Sequence, residues 1–272
     1  MWVIEMLSIF EYDFMVNAFL LILIISPLFG LLSTMVVNNK LAYFSDALGH
    51  SAYLGIGIGL LCGMTNSSII PIMLFAIIFS ILLVIIKQKF NESPDTVIGI
   101  ISSISIALGI IVLSNFGGMQ SFSQLLVGDL LLVDKQQLLP LAIIAFVVAI
   151  LFIIIYKKLI LISVDMSVAK SKHINPMFYE IILTVIIAIT VAISINVIGV
   201  LLISALFVLP GAISKLLSNN VKQYLINSVI VSVVCSITGL IISYYFEIPT
   251  GASIILINGI VYMLAMMLVK KE

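Results

Sequence analysis

An aspartate and a histidine stand four residues apart in SDALGHSAYLGIGIG, residues 45–59, inside an otherwise apolar segment. Residues at positions i and i+4 of an α-helix share one face, so the side chains of Asp46 and His50 are expected to lie side by side. A carboxylate oxygen and an imidazole nitrogen together suit a divalent cation such as Mn²⁺, Zn²⁺ or Fe²⁺. The alternative is a hydrogen-bonded pair at the membrane interface, with no ligand. The spacing alone leaves both open, although ionisable residues within membrane segments commonly mark a transport pathway.

The same segment carries a repeat of small residues. They recur at every fourth position: Ala47, Ser51, Gly55, Gly59 and Gly63. On a helix, such a stripe lets a second helix approach closely. It is turned by about 100° from the face of Asp46 and His50. We therefore expect the acidic and imidazole side chains to point into a helix bundle and not at lipid.

Composition places the whole chain in a membrane. Of 272 residues, 63% are hydrophobic and 9% are charged, and the mean hydropathy is +1.36, far from the balance of a soluble domain. The apolar runs are continuous and not alternating, which predicts spanning helices and not a barrel. The predicted class is an all-α polytopic membrane protein. Its formal net charge is zero, so no basic surface indicates a nucleic-acid partner.

Polar breaks divide the sequence into nine predicted spans. They are 14–37, 41–63, 69–86, 96–115, 138–156, 178–196, 199–217, 225–245 and 252–269. Only INVIG separates the sixth from the seventh, so the prediction is eight to nine helices in a single transmembrane domain, 1–272, with its core at 14–269. Lysines in short loops mark the cytoplasmic side, and every lysine except Lys135 falls on one side. This predicts an N-terminus outside and a C-terminus inside.

The longest predicted cytoplasmic loop is SVDMSVAKSKHINPMFYE, residues 163–180. Asp165 is predicted to cap a short helix that runs through Ala169 and is ended by the Asn-Pro pair. Such a helix can dock into a partner, whereas the alternative is a solvated loop. His173 lies among lysines and is predicted to be a surface residue.

Sequence motifs limit the possible activities. The chain lacks the phosphate-binding pattern G-x-x-x-x-G-K-[ST], so ATP-driven transport would need a nucleotide site on another chain. A membrane-embedded enzyme using Ser51 or Asp46 with His50 is disfavoured, because neither G-x-S-x-G nor H-E-x-x-H occurs. Ser51 also follows His50 directly and points about 100° away on a helix. A stand-alone, ion-coupled secondary transporter remains an alternative.

Six stretches, in order, resemble the permease subunit of the ABC-3 family, the membrane component of ABC importers for manganese, zinc or iron. They are SDALGHSAYLGIGIG (45–59), ESPDTVIGIISSISIALGIIVLS (92–114), SQLLVGDLL (123–131), KKLILISVDMSVAK (157–170), VIGVLLISALFVLPGAISKLL (197–217) and SYYFEIPTGASIIL (243–256). The resemblance implies a fold like that of type II ABC importers, in a bacterial cell membrane. It also implies a homodimer of permeases, two cytoplasmic ATPase subunits that bind ATP, and an extracytoplasmic metal-binding protein. The chain itself would hold no cofactor.

The resemblance further assigns roles to residues. Asp46 and His50 match the aspartate and histidine of the helix that lines the translocation path. The residues matching the loop that couples to the ATPase are Asp165, Ala169, Lys170 and His173. Three departures from the family's pattern stand out: Gly49 replaces a usual serine, AYLG (52–55) replaces a more usual Leu-Pro-Gly, and His173 replaces a usual glycine.

Overall fold

A computed structural model describes residues 12–64, 69–90, 93–115, 128 and 130–268. These residues form ten α-helices and one short 3₁₀ turn, Leu130–Leu132, with no strand among them. The helices are α1 (Asp13–Asn38), α2 (Ala42–Leu61), α3 (Ile69–Phe90), α4 (Pro94–Asn115), α5 (Lys135–Val164), α6 (Met166–Ser171), α7 (Pro176–Ile198), α8 (Val200–Leu217), α9 (Val221–Phe246) and α10 (Thr250–Leu268). The terminal lysines, Lys270 and Lys271, lie outside the described part of the chain.

Eight helices of the described part are long and apolar enough to cross a membrane, namely α1, α3, α4, α5, α7, α8, α9 and α10. Each of the nine predicted spans coincides with one long helix. The remaining long helix, α2, has 20 residues. Its mean hydropathy is lower because it contains Asp46, His50 and several glycines. It is surrounded by α3, α4, α7 and α8. Because other helices and not lipid cover most of its surface, α2 can carry this polarity.

The helix that contains the predicted span 138–156 extends beyond it at both ends. Helix α5 continues through Lys157 and Lys158 and ends at Val164, a length of 30 residues. Lysine is a good helix former, and its long side chain can carry the ammonium group away from an apolar surface. Two consecutive lysines therefore end an apolar run without ending the helix.

Helices α1 and α9 pack closely through hydroxyl groups. Ser228 Oγ donates a hydrogen bond to the Gly30 carbonyl oxygen at 2.7 Å, and Ser232 Oγ donates to the Ser26 carbonyl oxygen at 2.7 Å. A Cβ atom added to Gly30 would stand 2.8 Å from the Ser228 carbonyl oxygen. In a membrane, small residues and hydroxyl bonds of this kind hold helices together where no hydrophobic driving force exists between them.

Substitution of Gly30 tests this contact. Gly30→Ala is expected to destabilise the protein by about 1–3 kcal/mol, because the new methyl meets backbone atoms and the two helices must separate. Gly259→Ala is the matched control, since its Cβ would meet no atom within 4 Å. The measurement is the midpoint of thermal unfolding in detergent. Equal midpoints for the two variants would contradict the tight packing of α1 on α9.

The boundary between α7 and α8 is a single residue, Gly199. Its N–H donates to the Ile195 carbonyl oxygen at 3.0 Å, and its own carbonyl oxygen accepts from the Ile203 N–H at 3.2 Å. Its backbone angles, φ 81° and ψ 158°, lie in a region that essentially only glycine adopts. The chain thus leaves α7 and enters α8 with both helix ends still hydrogen-bonded. The two segments predicted on either side of INVIG are therefore separate helices.

Candidate functional site

Asp46 and His50 lie side by side on α2. His50 Nε2 is 3.6 Å from Asp46 Oδ1. The side chain of His50 is 31% exposed and that of Asp46 is 43% exposed. This distance is too long for a hydrogen bond. Two ligands of one metal ion, with bonds of about 2.0–2.2 Å, lie roughly 3.0–3.5 Å apart. With a small rotation of either side chain, the carboxylate oxygen and the imidazole nitrogen can therefore bind one cation.

The pair occupies a face of α2 that stays accessible within the described part of the chain. Between residues 43 and 58, the side chains that stay accessible are Tyr43, Asp46, His50, Leu54 and Ile58, spaced three or four residues apart. All others in that stretch are buried against neighbouring helices. An ionisable pair facing hydrocarbon is costly, so this face must border water or a second protein surface.

The described part of one chain supplies two ligands at this place, Asp46 and His50. Within the described residues, no group of three or more histidine, cysteine, aspartate or glutamate side chains is placed to hold a metal ion. Structural zinc sites take four protein ligands, and catalytic ones take three and a water molecule. A cation held by Asp46 and His50 would therefore need water or a second chain to complete its coordination.

The small-residue stripe of α2 faces α3. Ala47 and Ser51 are buried. A Cβ atom on Gly55 would lie 2.9 Å from the Ile72 Cα atom, and one on Gly59 would lie 2.8 Å from Pro71 Cγ. Gly63, by contrast, lies beyond the end of α2 at Leu61, with φ at 74°. Its inclusion in the stripe is wrong, because the helix ends before the fifth repeat.

A second close contact of α2 was missed from the sequence. A Cβ atom on Gly109 of α4 would lie 2.8 Å from the Leu54 backbone nitrogen, so α4 touches the backbone of α2. The only local signal was a lone glycine in the apolar run IALGIIVL. Glycines of α2 and α4 together keep α2 tightly enclosed on two sides.

The short helix predicted within residues 163–180 is present as α6. Asp165 caps it, with Oδ1 accepting hydrogen bonds from the Ser167 N–H at 2.8 Å and the Val168 N–H at 3.1 Å. Ala169 is fully buried, whereas Lys170 and Asp165 are exposed. A helix of six residues is too short to be stable alone, so the cap and the buried alanine fix its position.

His173 ends this helix in a left-handed conformation. Its φ is 57°, its N–H donates to the Lys170 carbonyl oxygen at 3.0 Å, and the Ile174 N–H donates to the Ala169 carbonyl oxygen at 3.1 Å. These two bonds define a Schellman motif, in which the left-handed position favours glycine. This conformation explains why the ABC-3 family, which the sequence resembles, usually has glycine at this position. In this chain the exposed His173 adopts the same left-handed backbone conformation.

Polar side chains connect the segment after α6 to two other helices. Glu180 of α7 forms an ion pair with Lys87 of α3 and accepts a hydrogen bond from Gln88 Nε2 at 3.2 Å. Lys158 Nζ of α5 donates to Tyr179 Oη at 2.7 Å. These contacts are not predictable from the sequence, where their only signal is polar residues at the ends of apolar runs. They anchor the first turns of α7 to α3 and α5.

The sequence of the chain matches a known protein family. The model of one family, the ABC 3 transport family, matches residues 11–269. This chain belongs to the ABC 3 transport family. The resemblance that the six stretches indicated is thereby confirmed.

Three curated members show what the chain is similar to. The high-affinity zinc uptake system membrane protein ZnuB of Buchnera aphidicola is 29% identical, over 87% of this chain and 90% of that protein. The "Probable iron transport system membrane protein" of Haemophilus influenzae is 28% identical, over 97% and 96%. The manganese transport system membrane protein MntC of Listeria monocytogenes is 25% identical, over 97% and 94%.

A solved structure has the same fold. PsaBC from Streptococcus pneumoniae, in complex with Fab, superposes with a TM-score of 0.84 at 24% identity, covering 100% of this chain and 97% of that one. The ABC 3 family and the eight apolar helices make this chain a multi-pass component of the cell membrane. It is a transport component, and the expected all-α class is confirmed.

Proposed function

We propose that this ABC 3 family member is the permease subunit of an ATP-driven importer of Mn²⁺, Zn²⁺ or Fe²⁺, and that Asp46 and His50 line the cation path. One observation carries the proposal: a carboxylate and an imidazole lie 3.6 Å apart on the accessible face of a helix whose other faces, between residues 43 and 58, are buried among the described helices. The similarity to zinc, iron and manganese transport proteins supports the same class of cargo.

A second copy of the chain completes the site in this proposal. This second copy, related to the first by a two-fold axis, would place its own Asp46 and His50 opposite the accessible face of α2. The two copies then offer two carboxylates and two imidazoles, enough to replace the water around one cation. The accessible apolar side chains of this face, such as Tyr43 and Ile58, which are 65% and 40% exposed, would be covered by the same contact. The chain would thus act as one permease domain, 1–272, of a homodimer.

Energy and delivery come from other subunits. We assign the segment with Asp165, Ala169, Lys170 and His173 to docking of a cytoplasmic ATPase subunit, one per permease. The assignment rests on a capped helix between α5 and α7 that exposes Lys170 and His173. ATP would bind to those subunits, because this chain has no phosphate-binding loop. An extracytoplasmic metal-binding protein would deliver the cation.

The function is tested by uptake in cells that lack their own importer. Cells supplied with this permease, its ATPase and its binding protein are expected to take up radioactive Mn²⁺, Zn²⁺ or Fe²⁺, assayed separately. Omitting the ATPase should abolish uptake, because the chain lacks a nucleotide site of its own. Uptake by the permease alone would contradict the proposal that ATP hydrolysis drives transport, and would favour a stand-alone, ion-coupled transporter.

A further inference from the structure

A close contact holds α8 against the part of α2 that carries the candidate cation ligands. Gly49 lies in sequence between Asp46 and His50, and it faces Val200, the first residue of α8. A Cβ atom added at Gly49 would stand 2.5 Å from Val200 Cγ1 and 3.1 Å from Val200 Cγ2. Val200 is fully buried. The methyl groups of Val200 therefore occupy the space that any other side chain at position 49 would need.

Gly49 is well placed to move both ligands together. It immediately precedes His50 and lies three residues after Asp46, within one helical turn, where the rise is about 5.4 Å. A side chain at position 49 would push that turn of α2 away from α8. Because Asp46 and His50 are attached to the same turn, their approach to a cation would change together.

Val200 is also joined to the cytoplasmic segment of the chain. It follows Gly199, whose hydrogen bonds link the end of α7 to the start of α8. Helix α7 has 23 residues and is thus about 35 Å long. Its first turns are anchored by the Glu180–Lys87 ion pair and follow α6 after four residues. One continuous helix therefore joins the proposed ATPase-docking segment to Val200.

We propose that Val200 is a positioning residue, whose contact with Gly49 sets the geometry of the Asp46–His50 pair and connects that pair to the α7–α8 junction. This inference rests on the proposed role of Asp46 and His50 in the cation path. Neither Val200 nor Gly49 would touch the cation. Both act through the backbone of α2.

The test compares three variants in the complete importer. Gly49→Ala is expected to lower uptake by about tenfold, because a ligand displaced by a fraction of an ångström no longer binds productively. Gly49→Ala combined with Val200→Ala should recover most of the uptake, because truncating the valine removes the two methyl groups that the new Cβ would meet. Gly99→Ala on α4 is the control, since its Cβ would meet no atom within 4 Å.

A second readout separates positioning from simple loss of stability. Gly49→Ala is expected to raise the cation concentration that gives half-maximal uptake and to alter the ratio of Mn²⁺ to Zn²⁺ uptake, with the ATPase subunit still bound. A purely structural defect would lower the amount of assembled importer and leave both quantities unchanged. That outcome would overturn the inference, as would a double variant that assembles but shows no recovery.

The design also covers a variant that fails to assemble. If Gly49→Ala does not fold, Val200→Ala alone is used, since it leaves a space at Gly49 instead of filling one. A shift in half-maximal concentration supports the positioning role, and an unchanged value overturns it. A different result would reject the proposed function: normal uptake by both Asp46→Asn and His50→Ala. That result does not depend on the behaviour of the Val200 variants.

Discussion

Asp46→Asn and His50→Ala are each expected to reduce metal uptake to the background of cells without the permease. His50→Ala removes one ligand, and Asp46→Asn replaces one anionic ligand by a neutral and much weaker one, in both halves of the proposed dimer at once. Asn keeps the volume of Asp but loses its charge, which isolates the electrostatic contribution. The measurement is radioactive uptake at matched membrane levels of each variant. Asp134→Asn is the matched control, because Asp134 is exposed, precedes α5 and lies beside Asp13 and Asn17 of α1.

The same site predicts a direction for the effect of pH. An imidazole binds a metal only in its neutral form, so protons and cations compete for His50. Uptake by the unaltered importer is expected to weaken as the medium is acidified and to recover at higher metal concentration. If His50→Ala transports at the rate and with the metal preference of the unaltered protein, the pair is structural and the path lies elsewhere.

Replacing residues 165–173 by a Gly/Ser linker of equal length is expected to abolish cation-stimulated ATP hydrolysis. The linker removes the cap, the buried Ala169 and the exposed Lys170, so no ordered surface would be left for an ATPase subunit. The permease dimer should persist, since α6 packs against α5 and α7, whereas the proposed dimer contact is on α2. The measurements are ATPase activity of the purified complex and the oligomeric state of the permease.

A matched pair of point variants refines this test. Asp165→Ala removes the side chain that accepts two backbone hydrogen bonds and is expected to destabilise α6 by about 1 kcal/mol. Asp165→Asn loses the same charge but keeps an acceptor for the cap. Coupled hydrolysis should therefore fall in the alanine variant and be largely kept in the asparagine variant. Undiminished uptake by the linker variant would remove the docking role from this segment.

Energetics in the membrane explain why the substitutions at Gly30 and Gly49 should have large effects. Helices of this protein are not held by hydrophobic burial against lipid, which is as apolar as their own side chains. Close contacts at glycine, as at Gly30 and Gly49, and bonds from hydroxyl groups, as at Ser228, carry the packing. A single added methyl therefore meets backbone or a branched side chain that has no room to move.

Several features follow from the sequence alone because they depend on neighbours in the chain. Continuous apolar runs predicted every long helix, since spanning a bilayer requires all backbone bonds to be made within the segment. The proximity of Asp46 and His50 follows from the helical repeat, and the cap at Asp165 follows from its own next residues. The differences fell at helix ends: α5 extends past its predicted span through Lys157 and Lys158, and Gly63 was wrongly included in α2.

The contacts that arrange these helices depended on the tertiary structure. Helical periodicity shows which face of a helix is polar or small, but not which other helix packs against it. Residues distant in sequence meet at Lys87 and Glu180, 93 positions apart, and at Gly30 and Ser228, 198 apart. The approach of Val200 to Gly49 is of the same kind. The sequence thus determined the helices, the ligand pair and the capped loop, whereas packing over long sequence separations decided that α2 is enclosed and that its accessible face presents Asp46 and His50.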